Sequence, residues 1–331
     1  AGTLGLAGRA NLVSLTDKAG VRVAFKTFAP SEYLAESQFT GWNYNLTLAP
    51  IGPASAKAHI SWVTADQGIL MLNDVLPQLG VRRPVSARVK IELPDDWQII
   101  TSEPSAKKGV FDVKDVDKAV FILSRNGNSR VTTAQNGPLT LSISGKWQFA
   151  DDEALAMASE ILGAYEKIFG GQSARSPVVS LMHFPENVGL GNWEADTRGS
   201  TVTILSSDMP FKNQSVQRLH EQLRHEIFHL WLPNGVNLTG KYDWFYEGFA
   251  LYQSLKLGVA SNNLRFDDFL ASLAQAYRLD SIQLDRGSLI AASERRWSGA
   301  NTTVYARGML VAFLCDLTML ERSKGKRSVS D

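Results

Sequence analysis

Between residues 21 and 149 the chain alternates short apolar runs with breaks that bend it. The runs at 21–28, 44–48, 59–63, 87–93, 119–123 and 139–144 are strand-length and rich in branched and aromatic residues. Pro50-Ile51-Gly52-Pro53, Pro94-Asp95-Asp96, Asn126-Gly127-Asn128 and Asn136-Gly137-Pro138 separate them. This pattern predicts antiparallel strands in a sandwich or curved sheet.

At Asp151 the period changes. Leu155, Ile161, Leu162, Tyr165 and Ile168 mark one helical face that ends at Gly170-Gly171. Strand-like runs follow at 178–184 and 201–205, then helical stretches around 215–232, 244–258, 265–278 and 303–322. The expectation is an α+β chain, with a β-sandwich-like domain over 1–150 and a mainly helical domain over 151–331. No internal repeat or low-complexity tract interrupts it.

Composition narrows the class. The 331 residues carry 34 Lys and Arg against 33 Asp and Glu, a net charge of +1, with 44% apolar and 20% charged residues. That is the make-up of a folded chain with no polyanion partner, so nucleic acid is not expected. The basic run at 322–327 reads as a solvated chain end. Cys315 is the sole cysteine, which excludes an internal disulfide, a CxxC centre and a cysteine-based zinc site. The apolar run at 309–315 is cut by Asp316, short of the ~18 residues a bilayer span needs, so no transmembrane segment is expected. The chain opens Ala1-Gly2-Thr3, without initiator Met or leader, as suits a processed or shortened chain. A periplasmic or secreted bacterial location is the expectation, with the cytoplasm left open. Four Asn-x-Ser/Thr sequences, starting at Asn45, Asn213, Asn237 and Asn301, read as chance.

The chemistry concentrates in Arg224-His225-Glu226-Ile227-Phe228-His229-Leu230-Trp231, an H-E-x-x-H segment. Val216, Leu219, Leu223, Ile227 and Leu230 form an apolar stripe, predicting a helix that Pro233 and Asn234-Gly235 end. On one helical face, His225 and His229 stand about 6 Å apart and can share a cation. Glu226 lies about 100° round the axis, where it can reach a metal-activated water without ligating the metal. With only five histidines in the chain, a chance H-E-x-x-H has a probability on the order of 1%. Catalytic zinc takes three protein ligands. Glu247, 18 positions after His229, is the candidate third, on a helix with Asp243 as its expected N-cap. An antiparallel helix pair would close the site around one Zn2+ per chain. His220, about 140° from His225, is expected to face away and be solvated. His59 and His183 have no ligand-spaced partners.

These motifs, His225-Glu226-x-x-His229-x-Trp231-x-x-Asn234 followed by Trp244-x-x-Glu247-Gly248-Phe249-Ala250, resemble those of gluzincin metallopeptidases. The resemblance is to the glycyl aminopeptidase family and more distantly to the aminopeptidase N family, and it is strongest over about 150–331. It implies a β-rich N-terminal domain and a thermolysin-like catalytic domain. Tyr305-Ala306-Arg307-Gly308 is similar to the family's Tyr-x-Lys-Gly, which implies that Tyr305 hydrogen-bonds the oxyanion of the tetrahedral intermediate. Tyr246 is the fallback, and Arg307 keeps the charge of the family's Lys. Gly189-Leu190-Gly191-Asn192-Trp193-Glu194 resembles the loop that meets the substrate, which implies that Gly191, Trp193 and Glu194 bind the peptide. Glu194 would take the α-ammonium, and the strand expected over 200–205 starts two residues later than the family spacing. Relatives often carry an Asp four residues after the third ligand, where this chain has Leu251. They also continue beyond the tyrosine, commonly into a PDZ domain, whereas this chain stops at Asp331.

The expected function is a zinc aminopeptidase that releases N-terminal residues, small ones such as Gly or Ala, from peptides. Two alternatives stay open: a catalytically silent peptide-binding protein on the same scaffold, and a hydrolase of another bond such as a lipid epoxide.

Overall fold

The computed structural model describes residues 10–29, 32–50, 57–77, 84–134, 139–171, 176–236, 238–284 and 287–331. The turns expected at Ile51-Gly52-Pro53 and Asn136-Gly137-Pro138, and the Asn237 sequence, fall outside these residues. Two compact units result, Ala1–Ser129 with His183–Gly189, and Arg130–Met182 with Leu190–Asp331.

The first unit is built from short antiparallel strands. Val120–Arg125 pairs on one side with Gln67–Met71 and on the other with Trp97–Ile100, and Val120 through Ser124 are all buried. A continuous apolar run is what a strand covered on both faces requires. Ala87–Lys90, Val110–Val113 and Ser105–Lys107 form a second sheet, and Ala10–Thr16 pairs with Arg22–Val23 and Gly41–Leu46. The run at 59–63 yields only Trp62–Val63, because the Ser61 N–H goes to the Asp74 carboxylate at 2.8 Å instead of to a neighbouring strand. Gly127, at φ +83°, makes the turn expected at Asn126-Gly127-Asn128.

In the second unit, strands β1 (Ser129–Thr133), β2 (Thr140–Ser144), β3 (Val178–His183), β4 (Trp193–Arg198) and β5 (Thr201–Ser206) lie in the order β1-β2-β3-β5-β4. Because β2 pairs in parallel with β3, Thr140 opposite Val178, the division between the units falls before the change of period at Asp151. β4 and β5 form a hairpin with Arg198 opposite Thr201. Gly199, at φ +59°, takes the first position of its two-residue loop, where a tight hairpin favours glycine.

The helices are α1 (Asp151–Phe169), α2 (Lys212–Phe228), α3 (Asp243–Ala260), α4 (Phe266–Ser281), α5 (Leu289–Glu294) and α6 (Asn301–Ser323). α1 begins where Glu153 accepts the Ala150 N–H at 2.7 Å and three acids face the positive helix end, and it stops at Gly170, φ +71°. Its Ile161, Leu162 and Tyr165 bury against Leu219, Leu223 and Ile227 of α2 and Val202 and Ile204 of β5. Each such side chain contributes about 1.5–3 kcal/mol. The Tyr165 hydroxyl donates to the Arg224 carbonyl at 2.7 Å, and Phe169 stacks on Trp231 at 5.2 Å.

Three expectations change here. α2 ends at Phe228, not near 232, since Leu230 and Trp231 already donate to carbonyls three residues back and Pro233 has no N–H to extend the ladder. Asp243 is the first residue of α3 and not its cap, and its carboxylate is drawn to Arg296 at 3.0 Å. His220 is buried, not solvated, because α3 covers that face of α2: Arg224 lies against His220 and reaches Ser254 at 3.5 Å. Burial and the neighbouring Arg224 cation push the His220 pKa down to about 4.

α3 and α6 cross with no side chain between them. A Cβ on Gly248 would lie 2.5 Å from the Gly308 Cα and 2.7 Å from the Met309 nitrogen. By length and composition α6 could cross a bilayer, but here Ala306, Met309 and Ala312 pack with Tyr252, Phe269 and Leu273. Its buried Asp316 accepts from Tyr252, from Lys256 at 2.8 Å and from the Val329 N–H at 2.8 Å. Burial opposes the charge on Asp316, but these donors outweigh it and lower its pKa.

Two stability measurements follow. Gly248→Ala gains about 1 kcal/mol of helix propensity, yet overpacking at the crossing should leave it roughly 2 kcal/mol less stable in urea unfolding. An unchanged or raised midpoint would show that the helices can part. Asp316→Asn should cost about 2 kcal/mol at pH 7. Because its folded pKa is depressed, the contribution is present above the unfolded value of about 3.9 and fades as pH falls through the folded one. The two proteins should therefore converge in stability in acid, and a pH-independent gap would contradict the charge assignment.

Candidate metal centre

The last turn of α2, the first turns of α3 and the start of α6 meet at one buried point. His225 Nε2 stands 3.2 Å from His229 Nε2 and 3.2 Å from Glu247 Oε2, and His229 Nε2 lies 3.5 Å from the same oxygen. All three residues are buried or nearly so. A tetrahedral ion with bonds of about 2.0–2.1 Å needs donors about 3.3–3.4 Å apart, so these separations fit zinc. His225, His229 and Glu247 together form a cluster able to hold a metal ion.

Supporting contacts fix each donor. His229 Nδ1 donates to the Leu232 carbonyl at 2.7 Å, which turns its Nε2 toward the cluster. Glu247 Oε1 pairs with Arg296 Nη1 at 2.9 Å, leaving Oε2 for the histidines. The His225 Nδ1 is buried without a hydrogen-bond partner among the described residues. Burial works against a cation on His229, yet Glu247 and Glu226 outweigh it and raise its pKa to about 9. Burial likewise opposes ionisation of Glu247, but His229 and His225 hold its pKa well below the usual carboxylate range.

Glu226 lies beside this cluster. The Thr197 hydroxyl oxygen is 2.8 Å from Glu226 Oε2 and 2.9 Å from the Glu226 carbonyl, so its one proton is shared between them. Glu226 Oε1 is 4.0 Å from His225 Nε2. Burial raises the Glu226 pKa, with the two histidines pulling against it. Asn234 ties the parts together: its Nδ2 donates to the carbonyls of Thr197 and His229, both at 2.9 Å, and its Oδ1 accepts from the Gly199 N–H at 2.9 Å.

Tyr305 stacks on His225 with ring centroids 6.3 Å apart, and Arg296 Nη2 donates to its oxygen at 2.8 Å. Burial and then Glu247 raise its pKa well above that of a free phenol, so it keeps its proton. Tyr246 instead packs edge-on to Phe245. Arg307 turns to Asp280 at 2.7 Å and the Gly287 carbonyl, an anchor between helices.

Gly191, at φ +74°, makes the turn before β4. Trp193 and Glu194 open that strand, half-buried, opposite Ser206 and Leu205. Glu194 stands three positions before Thr197, and so on the other face of the strand. The structure thus gathers His225, His229, Glu247, Glu226 and Tyr305 at one point, with Gly191, Trp193 and Glu194 along the edge strand that reaches it. Sequence reasoning missed Thr197 and Arg296. For Arg296 the available signal was Asp243 and Glu247, two acids one helical turn apart that could share a cation.

No family profile matches the sequence, and no curated protein matches it. A solved structure does: that of an aminopeptidase N family protein from Idiomarina loihiensis, 16% identical, with a TM-score of 0.75 over 97% of this chain. The chain spans 60% of the length of that protein. At that identity the likeness is one of fold. An α+β chain with the fold of an aminopeptidase N family protein thus carries a buried His-His-Glu cluster suited to a metal ion.

Proposed function

We infer that the protein is a zinc-dependent aminopeptidase acting on peptides, with small first residues such as Gly or Ala preferred. The observation that carries this reading is the convergence of two imidazole nitrogens and one carboxylate oxygen beside a fourth group, Glu226, that does not join them. The fold shared with an aminopeptidase N family protein supports it.

His225, His229 and Glu247 would hold the zinc, which when bound supplies a Lewis acid that acidifies water toward neutrality and polarises a carbonyl. Glu226 accepts the proton of the attacking water and returns it to the leaving amine. Its raised pKa moves this base toward the working pH, and Thr197 occupies Oε2 so that Oε1 is the oxygen left to work. Tyr305, kept protonated, donates to the oxyanion of the tetrahedral intermediate. Glu194 is the carboxylate proposed for the α-ammonium, which selects a chain end; because it lies on the face of β4 opposite Thr197, that role requires the peptide's first residue to bind around the free edge of the strand. Trp193 would fill part of the first-residue subsite, and the preference for small residues that follows is the one the motif resemblance to the glycyl aminopeptidase family implies.

Glycyl- and alanyl-arylamides test the reading. Glu226→Gln should retain zinc while losing about 10²–10⁴-fold in kcat, and Tyr305→Phe should lose about 10²–10³-fold. A Glu226→Gln variant as active as the parent, or full activity in metal-free protein, would overturn the mechanism. Calorimetric zinc titration gives a second test. Below about pH 9 His229 holds a proton that zinc must displace. Affinity should therefore rise from pH 6 to 9 with release of a proton, and an affinity that does not change with pH would count against this ligand set.

A further inference from the structure

Among the described residues, Arg296 is the guanidinium that reaches both Glu247 and Tyr305. It sits in a 3₁₀ turn, Arg296–Ser298, between α5 and α6, with 13% of its side chain exposed. Nη1 donates to Glu247 Oε1 at 2.9 Å and to Asp243 Oδ1 at 3.0 Å, while Nη2 donates to the Tyr305 oxygen at 2.8 Å. The indole of Trp297 covers one face of the guanidinium at 4.6 Å, and the Tyr305 ring lies 5.3 Å from its centre. A planar fork donating along fixed directions can hold three oxygens in one arrangement, which an ammonium on a flexible stem cannot.

We propose that Arg296 is the positioning residue of this site, fixing at once which oxygen of Glu247 faces the histidines and where the Tyr305 hydroxyl points. Resting on the aminopeptidase reading above, this assigns a role that the H-E-x-x-H segment and its third ligand leave open. Arg296 occupies Oε1 of Glu247, so Oε2 alone is presented to the metal. At Tyr305 the oxygen accepts from Arg296, so the hydroxyl faces its proton toward the cluster, where it is donated to Glu247 in this structure and would pass to a substrate oxygen in the reaction. The same donation strengthens the phenol as a donor, since a positive neighbour draws charge from its oxygen. Asp243, one turn before Glu247 on α3, fastens the guanidinium from the far side. Groups that hydrogen-bond a metal's ligands typically change affinity or activity by 10- to 100-fold when removed.

The test uses Arg296→Ala and Arg296→Lys in the intact chain, with three readouts. Zinc affinity measured against a chelating dye should fall about 10- to 100-fold in Arg296→Ala. With saturating zinc, kcat on alanyl-arylamide should fall about 100-fold or more while KM changes less than about 3-fold, because the residue acts on groups used in the transition state. Added methylguanidinium should restore much of the kcat of Arg296→Ala and none of that of Tyr305→Phe. Arg296→Lys, which keeps the charge without the fork, should recover zinc affinity more fully than kcat. Parental zinc affinity and kcat in Arg296→Ala would overturn the proposal, as would a loss confined to KM. Should Arg296→Ala fail to fold, Arg296→Lys and Asp243→Asn carry the same split between affinity and kcat, and parental values in both would overturn it. Should the parent hydrolyse no aminoacyl substrate, the aminopeptidase reading fails by itself. The zinc affinity of the variants then still decides whether Arg296 holds Glu247.

Discussion

Two backbones meet where Gly248 of α3 faces Gly308 of α6, and the site is organised around that contact. Glu247 immediately precedes one glycine, and Tyr305 lies one turn before the other. An added Cβ at either position would collide with backbone of the opposite helix. Glycine in mid-helix costs about 1 kcal/mol against alanine, so its presence at both crossing points marks a position where distance outweighs propensity. Through this close approach Glu247 on one helix and Tyr305 on another come to share Arg296. The remaining supports serve the same end. Tyr165, Phe169, Phe228 and Trp231 seat the end of α2, and Asn234 fastens the turn after it to the edge strand.

Electrostatics explains why so much polar chemistry survives burial here. Two imidazoles, two carboxylates and a guanidinium gather in a region that water scarcely enters, which is costly unless each is paired. His229 and Glu247 offset one another, Arg296 serves Glu247 and Asp243 together, and Glu226 leans on a neutral hydroxyl. That difference separates the two carboxylates: Glu247 is held charged, whereas burial shifts Glu226 toward the protonated form, and this contrast is what the proposed roles of ligand and base would need.

Much of the second unit was legible because its signals are local. The stripe Leu219, Leu223, Ile227 and Leu230 repeats at the helical period, and all four side chains enter the core. The i, i+4 histidines needed nothing beyond helical geometry. Glu247 was legible once two candidate ligands stood on one helix, since a third donor was then to be sought on a neighbouring one. What sequence could not show depends on long-range partners. Arg296 reads as surface charge beside Arg295 until α3 supplies Asp243 and Glu247. His220 reads as solvated until Arg224 and α3 enclose it. The start of β4 reads as loop because the Gly189–Glu194 segment resembles a substrate loop. Charges at Glu194, Asp196 and Arg198 nonetheless alternate with Trp193, Ala195 and Thr197 as in a half-buried strand, the state that pairing with β5 gives it. In the first unit several strands are too short, or too polar on one face, to stand out from the turns around them.

The central claim is that His225, His229 and Glu247 together bind one zinc ion, with Glu247 contributing a single oxygen. Anomalous diffraction at the zinc absorption edge, from crystals of the zinc-loaded protein, tests it directly. The account predicts one strong peak per chain within about 2.0–2.2 Å of both Nε2 atoms and of Glu247 Oε2, with Oε1 still on Arg296. A peak elsewhere, or zinc at the histidines with Glu247 turned away, would contradict it.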